Sequence, residues 1–244
     1  MKKNRFILIL LFCILPHALH AAGHDFYIKY SNDEGLAGMH IRSCSQDASG
    51  RMWVGSGNGV YFYDGTRFKA LDNYDYMQSC TKMTFAVQCD SRGRTWIASS
   101  NGAGFYDAVK GSFTSIGGFN SDPARDLDLD PHGNVWITSH SGIWTYDFEN
   151  RSLVRAIPEQ DYRPEMSFFT SDGEHFYILS AEGSIIRHDM ASGLNFEVYS
   201  PKDRSRARCI CDSSDGRIWV ALESGLVFRM DGKTGDWQRR IRIR

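Results

Sequence analysis

A phrase of fifteen residues returns along this chain, and its period constrains the fold more than any other feature. Its first copy is Gly50-Arg51-Met52-Trp53-Val54-Gly55-Ser56-Gly57-Asn58-Gly59-Val60-Tyr61-Phe62-Tyr63-Asp64. Gly93-Arg94-Thr95-Trp96-Ile97 leads in the same way to Gly102 and Phe105-Tyr106-Asp107, and Gly133-Asn134-Val135-Trp136-Ile137 to Gly142 and Trp144-Thr145-Tyr146-Asp147. Gly173-Glu174-His175-Phe176-Tyr177-Ile178 leads to Gly183 and Asp189, with Phe176 in the place of the tryptophan. Gly216-Arg217-Ile218-Trp219-Val220 leads to Gly225 and Asp231. The leading glycines are 43, 40, 40 and 43 residues apart. Each copy reads as a turn, a strand, a glycine turn, a second strand and an Asp that opens the next turn. Strands repeating at this period, without helical patterning, are the signature of propeller blades.

The expected fold class is therefore all-β, a β-propeller of four-stranded antiparallel blades. Five blades are expected at about 36–71, 82–116, 124–157, 166–199 and 207–244, within a propeller region 24–244. Residues 26–30, Phe-Tyr-Ile-Lys-Tyr, read as one extra outer strand. A closing N-terminal strand completes the last blade of a ring, yet the fifth blade already supplies Trp237 to Ile243. The surplus strand leads to the expectation of an open part of a larger, seven-bladed ring.

Residues 1–22 read as a secretory signal peptide. Lys2, Lys3 and Arg5 precede an apolar run from Phe6 to Leu15, then Pro16 and the small residues Ala18, Ala21, Ala22 and Gly23. That run is too short for a comfortable membrane span. Export to the periplasm or beyond is expected, with no membrane span in the mature chain. Without the three basic residues the mature chain holds 25 Lys and Arg against 29 Asp and Glu, a net charge of −4. A mildly acidic chain has no general electrostatic reason to bind nucleic acid. Five cysteines remain, Cys44, Cys80, Cys89, Cys209 and Cys211. Cys44, Cys89, Cys209 and Cys211 fall in the expected innermost strands, where a cysteine serves as a small buried apolar residue. The odd count leaves disulfide pairing open.

Sites of chemistry are scarce. Asp126-Leu127-Asp128-Leu129-Asp130-Pro131-His132-Gly133 has the acidic spacing of a calcium loop, but Pro131 holds the place of the obligatory glycine and no glutamate closes the loop. The repeat reads it as a strand and a turn. Gly55-Ser56-Gly57-Asn58-Gly59 and Ser141-Gly142 precede no helix, so they are hairpin turns rather than phosphate cradles. His24, His40, His132, His140, His175 and His188 are scattered, and His140 beside Ser139 and Ser141 has no orienting acid in sequence. Arg239, Arg240, Arg242 and Arg244 read as a solvated strand edge. Tyr74, Tyr76, Phe119 and Tyr162, in the linkers between blades, are candidates to stack on sugar rings or to cover the core. No catalytic, cofactor-binding or metal-binding residue is assigned, and no cofactor is expected. The ligand-binding residues stay open.

The segment Gly35-Leu36 … Gln46-Asp47-Ala48-Ser49-Gly50-Arg51-Met52-Trp53-Val54-Gly55-Ser56 … Gly59-Val60 … Tyr63-Asp64-Gly65 … Phe68 resembles the two-component regulator propeller repeat. The resemblance covers nearly all of the mature chain and is weakest in the fourth blade. It implies the N-terminal periplasmic sensor region of a bacterial hybrid two-component system, which recognises glycans and regulates carbohydrate use. In that family further blades, an immunoglobulin-like module, a membrane helix and a histidine kinase follow. None of them is found before Arg244, so a truncated sensor without its own kinase is expected and no family binding residue is carried over. Its partners would be an oligosaccharide and another propeller or sensor chain. The alternative is a free-standing exported scaffold for protein partners. An enzyme of lyase or glycosidase type ranks third, for want of convergent acid and base groups.

Overall fold

The computed structural model describes residues 28–31, 33–36, 40–80, 83–119, 122–201, 205–213 and 215–242. The expected signal peptide lies outside them. The described chain is all-β in architecture, five sheets of four antiparallel strands, each sheet in chain order. The first blade holds β1 (Ile41–Gln46), β2 (Met52–Ser56), β3 (Gly59–Tyr63) and β4 (Phe68–Ala70). The second holds β5 (Thr84–Cys89), β6 (Arg94–Ser99), β7 (Gly102–Asp107) and β8 (Ser112–Ile116). The third holds β9 (Ala124–Leu129), β10 (Val135–Ser139), β11 (Gly142–Asp147) and β12 (Ser152–Arg155). The fourth holds β13 (Pro164–Phe169), β14 (His175–Ser180), β15 (Ile185–Asp189) and β16 (Asn195–Tyr199). The fifth holds β17 (Ala207–Asp212), β18 (Arg217–Leu222), β19 (Leu226–Asp231) and β20 (Trp237–Arg242). The chain is thus a five-bladed β-propeller assembly, as the repeat implies.

The repeated residues act as a unit. The leading glycines Gly50, Gly93, Gly133, Gly173 and Gly216 have φ between 71° and 83°, a left-handed conformation that costs glycine nothing. Six residues before each of the first three tryptophans stands an Asp. Asp47 accepts from the backbone N–H groups of Ser49 and Arg51 through Oδ1, and from Trp53 Nε1 at 2.9 Å through Oδ2. Asp90 does the same for Arg92, Arg94 and Trp96 Nε1, again at 2.9 Å. Asp130 repeats it for His132 and Asn134, with Trp136 Nε1 at 3.4 Å. One carboxylate thereby closes the turn and fixes the indole that fills the space between blades. Burial alone would raise the Asp90 carboxyl; the Trp96 indole and the Arg94 backbone and guanidinium outweigh it and hold the group below the usual range. The second repeated Asp bonds the turn that follows it, as expected: Asp64 accepts from the N–H groups of Thr66 and Arg67, and Asp231 from those of Lys233 and Thr234.

Two sequence expectations are corrected at this level, and a third lies partly outside the described residues. In the fourth blade Tyr177, not Phe176, occupies the tryptophan position. Phe168 pairs with Tyr177 as Asp128 pairs with Trp136, and Tyr177 packs toward the fifth blade while Phe176 packs toward the third. The cause is a turn one residue longer. It closes from Thr170 N–H to His175 C=O, against Asp130 to Asn134 in the third blade, so the strand phase slips by one. Second, the linker before the second blade contains a short helix, α1 (Tyr74–Ser79), capped by Asn73 Oδ1 accepting from Tyr76 N–H at 3.1 Å. Third, Phe26 and Tyr27 of the expected extra strand lie outside the described residues, and the described Ile28 to Tyr30 is irregular. Tyr30 packs edge-on against Tyr63 and Phe68 of the first blade, 5.3 Å from each ring.

Four cores hold the five blades together. Trp53, Val60, Val87 and Ile97 join the first blade to the second. Trp96, Ala98, Leu127 and Ile137 join the second to the third. Trp136, Ile143, Phe176 and Ile178 join the third to the fourth. Tyr177, Leu179, Ile218 and Val220 join the fourth to the fifth. Polar latches reinforce two of these seams. Ser43 Oγ accepts from Val87 N–H at 3.1 Å and Ser45 Oγ from Cys89 N–H at 2.9 Å. Asp126 accepts from Ser167 N–H at 2.9 Å and Asp128 from Phe169 N–H at 2.5 Å. Among the described residues, innermost strands pack in the series β1, β5, β9, β13, β17, with no packing of similar extent between β17 and β1. Among the described residues no other blade covers the backward face of the first blade, where Val54 and Ser56 are nonetheless buried, or the forward face of the fifth. Cys44, Cys209 and Cys211, expected to be buried, are exposed on these faces, whereas Cys89 is half-buried.

This arrangement separates two tryptophans that occupy the same place in the repeat. Trp96 is fully buried between blades, whereas Trp219 faces outward from the last blade and is only half-buried. Trp96→Ala is expected to lower the unfolding free energy by ~3–5 kcal/mol. Trp219→Ala is expected to cost about 1 kcal/mol, in the range of partly exposed sites. Urea unfolding in dilute, reducing solution measures both, and equal losses would contradict the open arc.

Candidate functional site

Each innermost strand is broken at the same place. The pairing register slips between Ile41 and Ser43, Thr84 and Ala86, Ala124 and Asp126, Pro164 and Met166, and Ala207 and Cys209. One residue per blade is left over as a β-bulge, a device that re-aims a side chain. The bulged residues are Arg42, Phe85, Arg125, Glu165 and Arg208. Four of them touch from blade to blade. The Arg42 guanidinium lies 5.4 Å from the centre of the Phe85 ring, and that of Arg125 lies 4.1 Å from it. Arg125 Nη2 and Nε reach Glu165 Oε2 at 2.6 and 3.0 Å. Arg208 turns instead to Glu223 of its own blade, at 2.6 Å. The bulges sit at the end of the blades that also carries the β2–β3-type hairpins and the linkers, so this end gathers the irregular chain.

His140, in the β10–β11 hairpin, joins the same cluster. Its Nε2 lies 3.3 Å from Glu165 Oε1. The acid missing from its sequence neighbourhood is thus supplied by the next blade. Neighbouring Ser139 is occupied otherwise, donating to Gly142 C=O and accepting from Trp144 Nε1. Burial would raise the Glu165 carboxyl, but Arg125 and then His140 outweigh it and hold the group below its ordinary value.

A groove of about 540 Å³ lies on the fourth blade, running from the β14–β15 hairpin along its outer strand β16. Its walls mix polar and apolar groups: Gln160, Tyr162, Glu182, Ile186, Asn195 and Glu197 contribute. Asn195 Nδ2 donates to Gln160 Oε1 at 2.9 Å, and Asn195 Oδ1 meets His188 Nδ1 at 2.7 Å, so the amide is held in place. Tyr162 Oη is enclosed and, among the described residues, has no hydrogen-bond partner. Burial raises its pKa to about 12.

The other sequence candidates fall elsewhere. Tyr76 and Phe119 are core residues, and Tyr76 Oη accepts from Val60 N–H at 3.0 Å. Tyr74 is exposed on α1. Asp126 to Leu129 is strand, and Asp130 to Gly133 is turn, as the repeat reading expects. Among the described residues no cluster of three His, Cys, Asp or Glu side chains could hold a metal ion, and no helix is long and apolar enough to cross a membrane. His175 lies 3.5 Å from Asp189, away from His140. His24 and Arg244 lie outside the described residues, as do the side chains of Arg239, Arg240 and Arg242. The bulge residues escaped sequence reasoning because they stand outside the repeated phrase. A positional signal was nonetheless present: each lies eleven residues before its tryptophan, or twelve before Tyr177.

Residues 35–58 match the model of the two-component regulator propeller family. No curated protein sequence matches the chain. Among solved structures, the extracellular domain of a hybrid two-component system of B. thetaiotaomicron is similar, with a TM-score of 0.71 and 19% identity over 86% of this chain. A second such domain from the same organism gives 0.67 and 18% over 82%. The chain spans 31% and 27% of those domains. Virginiamycin B lyase of Staphylococcus aureus is similar at 0.67 and 16%, over 84% of this chain and 70% of the lyase. At these identities the likeness establishes the propeller fold.

Asp126 and Asp128 give this end of the molecule a pH signature. Asp126 is half-buried at the third seam, and burial pushes its carboxyl up to about 7; burial likewise raises Asp128 to about 6. Both values exceed the unfolded aspartate value of about 3.9. The folded state therefore keeps protons that the unfolded state releases, and the stability this confers is lost as pH rises through the folded values. The thermal midpoint is expected to fall between about pH 5 and about pH 8, with a shallower fall in Asp126→Asn. Differential scanning fluorimetry across that range reads the slope.

Proposed function

We propose that the chain is an exported ligand-binding propeller of the kind that serves as a sensor region in two-component signalling, with saccharides as its ligand class. It acts by binding. The groove on the fourth blade carries this reading. Fixed amides, carboxylates and one aromatic in a shallow cleft of mixed polarity suit a polyhydroxylated ligand: the polar groups meet its hydroxyls and Tyr162 offers a ring face. The partial family match at 35–58 and the fold shared with extracellular domains of two-component systems support the sensor role. The basic and apolar start of the chain supports export.

Isothermal titration against a panel of neutral oligosaccharides tests the proposal. Glu197→Gln is expected to weaken the best ligand about tenfold, ~1.4 kcal/mol, with unfolding unchanged, whereas Tyr162→Ala, which removes a ring packed on the core between the third and fourth blades, is expected to weaken binding and lower stability together. No heat with any member of the panel would count against a saccharide ligand.

The pairing of His140 with Glu165 favours one second reading, a lyase. The similar staphylococcal lyase structure holds a histidine-to-alanine variant described as catalytically inactive. Loss of substrate-depleting activity in His140→Ala, with binding retained, would support that reading over pure binding.

A further inference from the structure

The linker between the first and second blades differs from the other three. It runs over residues 71–83, against 117–123, 156–163 and 200–206 at the later seams, and its added length forms α1. α1 leaves two large apolar side chains in solvent, Tyr74 at 74% exposure and Met77 at 50%. Three residues apart, they share one side of the helix. Beside them α1, the end of β4 and the β2–β3 hairpin form a pocket of about 480 Å³. Its floor is apolar, because Val60, Leu71 and Tyr76 are buried, and Met77 forms one wall. The hairpin wall is open for a reason local to this blade. Gly57 stands where the second and third blades carry Ser100 and His140. Its φ lies outside the left-handed region, so its backbone does not require glycine, and a Cβ added there would meet nothing within 4 Å. Gly59, by contrast, has a φ of 117°, and Tyr76 Oη lies 2.9 Å from where its Cβ would be.

We propose that this pocket docks a peptide segment of a partner protein, one that carries a large aliphatic side chain beside Lys or Arg. The site is separate from the groove on the fourth blade. The lining selects the anchor. An apolar floor with a half-exposed methionine takes an aliphatic side chain, and methionine adapts its shape to the occupant. A polyhydroxylated ligand finds few partners here: Asn58 and Tyr76 bring the polar side chains of the lining, and Tyr76 Oη already accepts from Val60 N–H at 3.0 Å. Charge selects the flank. Asp72 follows Leu71 of the floor and Asp75 precedes Tyr76, so both carboxylates border the lining in the chain. Both are exposed, and among the described residues neither has an ion-pair partner. The cations closest in the fold are engaged elsewhere. Lys69, next to Ala70 of the lining, holds Asp64 at 2.7 Å. Lys110, next to the Gly111 carbonyl that Asn73 Nδ2 binds, holds Asp107 at 3.2 Å. The rim is thereby left anionic, and a basic flank complements it.

Fluorescence polarisation with the full chain and labelled, end-blocked peptides tests this. The probes are Gly-Lys-Leu-Lys-Gly, the same peptide with Ala in place of Leu, and the same peptide with Glu in place of both Lys. The Lys–Leu peptide is expected to bind, less tightly as salt rises. The Ala and Glu peptides are each expected to bind more weakly by about tenfold. Gly57→Leu, which fills the pocket, is expected to weaken the Lys–Leu peptide about tenfold, with circular dichroism and urea unfolding unchanged. Met77→Ser, on the half-exposed wall, carries the same expectation and serves if Gly57→Leu lowers stability. Asp75→Asn is expected to weaken the peptide about threefold and to flatten its salt dependence. Glu197→Gln on the fourth blade is expected to leave peptide binding unchanged, which keeps this result distinct from that for saccharides. No binding of the Lys–Leu peptide overturns the proposal. So does binding that ignores the loss of Leu or survives both pocket variants. A dimer that forms with rising concentration and is lost in both variants would assign the pocket to a second copy of the chain, and overturns the proposal as well.

Discussion

A four-stranded sheet has two faces, and neither can be satisfied within the sheet. Every other feature of this chain answers that constraint. Each blade leaves its tryptophan uncovered until the next blade arrives, so stability is made at seams and not inside units. The Asp–indole hydrogen bond matters for this reason. It orients a large flat side chain before its partner surface is in place, and it does so from a turn that the same carboxylate closes. Where the Asp is lost, other contacts take over: in the fourth blade Tyr177 Oη donates to the Gly232 backbone at 3.1 Å, tying that blade to the outer turn of the fifth.

Much of the fold was legible because the repeat encodes local needs. Gly50 and its equivalents need a left-handed φ, and Asp64 and its equivalents need to bond a turn, so both residue types recur at fixed offsets. What escaped was anything set by phase or by neighbours. Phe176 aligns with the tryptophans by counting from Gly173, but one added turn residue moves Tyr177 into that role. The cysteines looked like core residues because their strands are core strands; among the described residues no blade covers the faces that carry Cys44, Cys209 and Cys211. The partner of His140 sits 25 residues away on another sheet, beyond any local pattern. The candidate groove combines a linker, a hairpin and an outer strand, none of which is marked in the repeat.

The latch positions show how one geometry hosts different chemistry. Serines hold the first seam, aspartates the third, and the last blade offers cysteines at the same register. Serine keeps its hydrogen bond at any ordinary pH. Aspartate makes the seam sensitive to proton concentration, and cysteine makes the exposed face sensitive to thiol oxidation.

The bulges lie at the same point of every inner strand, yet their residues are Arg, Phe, Arg, Glu and Arg. A bulged side chain is released from the strand pairing that dictates its neighbours, so its identity answers to its partner on the next blade, as Arg125 does to Glu165, and not to the ladder. The inner rim is therefore a set of positions where paired substitution alters charge and shape without altering the sheets. A propeller of this design can change what it recognises while leaving what it is built from untouched.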